Sequence, residues 1–111
     1  MKQILKIQGD VSVLSGVTIP GGMAFKPLSA EGLVVAIGES KGHRHIVIAD
    51  RPSLVEVGED AQGFFWMKIG QDANARLVHE THKPIALPPN WYRIGRQREA
   101  DPIEEYRKVR D

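Results

Sequence analysis

The sequence predicts an all-β fold, a small barrel or sandwich of short strands. Three observations carry this. Runs of β-branched and aromatic residues recur with turn residues between them. Eleven glycines and seven prolines are scattered along the chain, breaking it at intervals of about 8–12 residues, as sandwiches and barrels do. No segment keeps a 3.6-residue apolar period over about 11 positions, the minimum that argues for a helix.

The elements follow in order. Val11 and Val13 alternate with polar neighbours, as on a half-buried strand. Leu33 to Ile37 is a branched run ended by Gly38. Ile46-Val47-Ile48 is a second, ended by Ala49-Asp50 and Arg51-Pro52. Leu54 to Val57 is a short strand, and the polar stretch Gly58 to Gly63 closes a hairpin onto Phe64 to Ile69. Ala75 to His79 follows a polar turn at Gln71 to Asn74. Ile85 and Leu87 alternate before Pro88-Pro89-Asn90, which turns the chain into a last strand, Trp91 to Gln97. The charged tail from Ala100 to Asp111 reads as a short helix or an extended arm.

Bulk properties narrow the classes. The chain has 111 residues, 41% hydrophobic and 26% charged, which suits one folded domain over residues 1–111. A net charge of +1 argues against a dedicated nucleic-acid binder, which carries a larger basic excess. With no cysteine, disulfides are excluded and any metal must be held by His, Asp or Glu. The longest apolar stretch, Gly32 to Gly38, is far shorter than the ~20 residues of a spanning helix. The N-terminus lacks a signal-peptide pattern, so a cytoplasmic protein is expected. A small β domain has unpaired strand edges, so a homo-oligomer is expected too.

The four histidines form two tight pairs, His43-Arg44-His45 and His79-Glu80-Thr81-His82. Chance would produce such pairing roughly once in a hundred sequences of this composition, so the pattern asks for a cause. Residues two apart on a strand share a face, with Cα atoms about 6.6 Å apart. His43 and His45 therefore point with Val47, and His79 continues the face of Ala75 and Leu77. His82 can join them only if the chain bends at Glu80-Thr81, and Pro84 just after favours such a break. Four imidazoles suit a divalent transition metal: zinc foremost, with iron, nickel, copper or manganese as others. All four histidines are candidate ligands. Glu80 and Glu39 are the candidate acid/base groups or acceptors for a ring N–H. A pH-sensing cluster is the metal-free alternative.

Gly38-Glu39-Ser40-Lys41-Gly42-His43-Arg44-His45 resembles the first motif of cupins, where a glycine precedes an HxH pair on a barrel strand. The resemblance implies a jelly-roll-like barrel that binds a metal through those histidines, a carboxylate a few residues later and a histidine on a later strand. Asp50 falls near the carboxylate position, and His79 or His82 near the later histidine. The glycine-to-histidine gap is one residue short, Asp stands for the usual Glu, and the second motif is missing. The chain also resembles small uncharacterised bacterial and phage proteins that share GHxH (Gly42 to His45), HExH (His79 to His82), PIxLPP (Pro84 to Pro89) and YRxxRQRE (Tyr92 to Glu99). That likeness spans about half the chain and implies no activity.

Trp91 to Arg98 mixes aromatics with arginines. It reads as a phosphate-binding surface or, more simply, as an amphipathic strand with solvated arginines. Arg93, Arg96 and Arg98 do not share one face, and acidic residues follow closely, which favours the simpler reading. Phe64-Phe65-Trp66-Met67 reads as core. Three functions are thus expected in order: a metalloprotein, whether enzyme or not; a structural, phage-associated oligomer with a stabilising histidine–metal site; and a nucleic-acid-binding module.

Overall fold

The computed structural model describes residues 2–37, 43–96 and, for the backbone, 108–110. It is an all-β sandwich of two open sheets rather than a closed barrel. The strands are β1 (Ile4–Gln8), β2 (Val11–Ser15), β3 (Lys26–Pro27), β4 (Leu33–Ile37), β5 (Arg44–Ala49), β6 (Val55–Glu59), β7 (Phe65–Ile69), β8 (Ala75–Val78), β9 (Ile85–Leu87), β10 (Asn90–Arg96) and β11 (Lys108–Arg110). One sheet runs β11-β1-β2-β10-β7-β6-β3 and the other β4-β5-β8-β9. All pairings are antiparallel except β1 with β11. No helix among the described residues is long and apolar enough to cross a membrane.

The anticipated strands form close to where they were expected, with informative differences. Gly58 and Glu59 extend β6, so the hairpin turn is confined to the residues between Glu59 and Phe65. Asp60 holds that turn, its Oδ1 accepting the amides of Gln62 at 2.9 Å and Phe64 at 3.0 Å. Leu54 ends a short 3-10 turn that Pro52 opens. β1 was not anticipated, because Ile4 and Leu5 adjoin without clean alternation; its Leu5 and Ile7 are buried while Ile4 and Lys6 are exposed. The tail adopts the extended form over 108–110, where it lies parallel to β1.

Facing side chains of the two sheets make the main core. Val11, Val13, Val55, Met67 and Ile94 from the larger sheet meet Val47, Ala75, Leu77 and Leu87 from the smaller. Leu5, Ile7, Leu14 and Val17 form a second cluster with Trp66 and Trp91. β2 is therefore buried on both faces rather than half-buried, since it lies between β1 and β10 and carries side chains into both clusters.

Candidate functional site

Antiparallel pairing brings the two histidine motifs together. β5 and β8 are neighbours with Ile46 opposite Val78. One step further along, His45 at the start of β5 stands opposite His79 just past the end of β8. Their ring centres are 4.3 Å apart. The chain then bends through residues 80–82, which returns His82 to the cluster, 4.8 Å from His79 and 6.3 Å from His45. His43 lies at the edge, edge-on to His79 at 5.4 Å. His45 is buried at 1% exposure and the other three rings are half-buried. Sequence spacing thus located all four side chains, and the bend it required is present.

The other sheet supplies a third arm. β1 and β2 pair Gln8 with Val11, leaving Gly9-Asp10 as a two-residue turn. Gly9 has φ +60°, the conformation that puts glycine first in such turns. A side chain there would reach within 3.0 Å of His82 Nε2 and 3.2 Å of His45 Cε1. The missing Cβ leaves a cradle between the two rings.

Gln8 is fully buried, and its amide donates to Leu77 O at 3.0 Å and to Lys83 O at 2.8 Å. Both hydrogens are thereby used, so Oε1 faces His45 Nδ1 at 2.9 Å and can only accept. The ring must donate from Nδ1, which leaves Nε2 bare when His45 is neutral. Burial, reinforced by His79, holds the His45 pKa below its usual value; Asp10 opposes this, while His82 and Arg96 add to it. Bare Nε2 looks at Asp10 Oδ1 across 3.5 Å. The other Asp10 oxygen accepts from Arg96 Nε at 2.8 Å. Arg96 also donates to Ile37 O and lines a cavity of about 260 Å³ with Val35 and Phe64.

His79 is set differently. The Thr81 amide donates to its Nδ1 at 3.1 Å, so a neutral ring carries its proton on Nε2. Among the described residues no three His, Asp or Glu side chains stand as a ready coordination shell. Glu80 accepts the Arg44 amide at 3.0 Å, tying one histidine motif to the other. That bond is the main reason its carboxyl titrates below the ordinary range. Glu39 lies outside the described residues. Asp50 lies just past the end of β5, five residues after His45, engaged with Asn74 and Arg76 instead of the imidazoles. The Arg93 guanidinium covers the Phe64 ring at 4.3 Å, and Arg98 lies outside the described residues.

Sequence reasoning missed Gln8, Gly9 and Asp10, and read Thr81 only as part of the bend and Arg96 only as part of the arginine-bearing strand. A Gly-Asp pair between two apolar runs is a hairpin signal and could have placed the turn. Nothing local could have placed it against the histidines.

The family model described as a domain of unknown function (DUF8820) matches residues 7–97. The chain belongs to this family. The DUF8820 match contains Gln8, Asp10, all four histidines and Arg96. Comparison with curated proteins and with solved structures gives no match.

Proposed function

We propose that this DUF8820 domain is a small metalloprotein. It binds one divalent transition metal, zinc foremost, among His45, His79 and His82, with His43 on the solvent side. The observation that supports this is the convergence of three imidazoles from two distant segments, His45, His79 and His82, with His45 and His82 bordering the cradle left by Gly9. Nitrogen ligands sit about 2.0–2.1 Å from zinc, so tetrahedral imidazoles have ring centres about 5 Å apart. The separations here, 4.3, 4.8 and 6.3 Å, bracket that spacing.

The donors fit the group unequally. His45 already presents an unprotonated Nε2, because Gln8 holds Nδ1–H. His79 binds through Nε2 only after exchanging its tautomer and giving up the Thr81 amide, a local rearrangement within residues 79–82. A bound zinc with a position open to solvent supplies a Lewis acid and a water acidified to about pKa 7. Glu80, ionised near neutral pH, is then a base rather than an acid.

The test is elemental analysis of untagged protein after incubation with zinc and dialysis. About one ion per chain is expected for wild type, and loss in His79→Ala/His82→Ala. A metal-free wild type overturns the reading.

A further inference from the structure

We infer that Asp10 is a metal ligand and that Gln8 is the positioning residue that turns His45 Nε2 toward it. This rests on the metal-site reading above and adds a carboxylate from the opposite sheet.

The geometry is specific. Two donors about 2.0–2.2 Å from one ion, at tetrahedral angles, stand about 3.4 Å from each other. His45 Nε2 and Asp10 Oδ1 are 3.5 Å apart. A proton does not account for this separation, because a charge-assisted N–H···O bond closes to about 2.7–2.9 Å. The Arg96 pair with the same carboxylate does close to 2.8 Å. The His45 side chain is 2% exposed, so its bare lone pair has no ready access to water. The Asp10 side chain is 40% exposed, so a cation can reach its oxygen from solvent while the buried His45 lone pair closes the inner side. Arg96 fixes the second Asp10 oxygen and leaves the first free to point inward. Gln8 has no rotational choice, since both its amide hydrogens are held by carbonyls, one of Leu77 in β8 and one of Lys83 just before β9. With Asp10 the donor set becomes His45, His79, His82 and Asp10, which fills a tetrahedral shell and closes the position that three imidazoles alone would leave open to water.

The experiment is a zinc titration by calorimetry with competing chelator, on the full chain and three variants. Asp10→Asn is expected to weaken zinc at least tenfold, and Gln8→Met about 10–100-fold, the range for groups that orient a ligand. Wild-type affinity in Asp10→Asn, with affinity lost in His79→Ala, overturns the role of Asp10 and leaves the histidine site standing. No binding by wild type overturns both. Asp10→Cys, loaded with cobalt, separates ligation from folding. A thiolate-to-cobalt charge-transfer band is expected if position 10 touches the ion. A cobalt-loaded variant without that band overturns the inference. For Gln8, nitrogen-detected resonance of the His45 ring reads the tautomer directly: Nδ1–H in wild type, lost in Gln8→Met.

Discussion

At the residue scale, Gly9 has two jobs that a single substitution separates from the rest of the fold. Its φ is +60°, a conformation that costs a side-chain-bearing residue about 1–2 kcal/mol. A Cβ would also press on His82 at 3.0 Å. Gly9→Ala is therefore expected to lower the melting temperature by about 4–8 °C per kcal/mol lost, read by calorimetry in chelator. An unchanged melting point would mean that the turn adjusts freely. The histidines were legible because His43 and His45 follow the period of two and because Pro84 signalled the break that returns His82 to His79. Gln8 and Asp10 were not legible, because glutamine and aspartate are ordinary surface residues. What distinguishes them here is contact with a segment 69 and 75 residues away for Gln8, and no local pattern encodes that. The cupin resemblance put Asp50 near a carboxylate position, yet strand rise carries it past the end of β5 to Asn74 and Arg76.

At the element scale, the β6–β7 hairpin is organised by Asp60. Burial pushes its carboxyl up, but bonds from the Trp66 indole and the Phe64 and Gln62 amides outweigh it and hold the group below its usual range. A carboxyl whose folded pKa lies below the unfolded value of about 3.9 stabilises fully above that value, and the contribution vanishes as pH falls through the folded pKa. Asp60→Asn should thus cost stability at pH 7, and the gap to wild type should narrow by pH 3 in urea unfolding. A gap independent of pH would show that the charge is irrelevant. At the start of β10, Tyr92 donates its hydroxyl to Pro88 O at 2.5 Å, and burial pushes its phenol up to about 12. Tyr92→Phe is expected to cost about 1 kcal/mol, measured by the shift in urea midpoint. Turn chemistry made these hairpins readable. β3 is only Lys26–Pro27, too short for periodicity to register, and it exists because β6 offers it a partner.

At the scale of the whole molecule, the sandwich is held by the faces that meet between the sheets. Leu77 is fully buried there, and Leu→Ala in such a setting costs about 2–5 kcal/mol. Against a total of about 5–15 kcal/mol for a domain, Leu77→Ala should lower the urea midpoint sharply. Val34, 38% exposed on the edge strand β4, should tolerate Thr within about 0.5 kcal/mol. Equal losses at the two positions would contradict the packing described. Strand composition made an all-β fold readable. The choice of an open sandwich over a barrel depends on which strands fail to pair, β3 against β4 and β11 against β9, and alternation within a strand is silent about that.

The Gln8 bonds to Leu77 and Lys83 also bear on the order in which the protein is made. Ribosomes add about 5–20 residues per second, and N-terminal segments emerge first. The first hairpin waits several seconds before the carbonyls it must hold are synthesised. Until Lys83 has left the ribosome, the Gln8 amide lacks at least one of its two partners, and His45 has no fixed tautomer. A nascent chain halted before that point carries the HxH pair as an ordinary flexible chelator. Release of the remaining strands converts it to an oriented one.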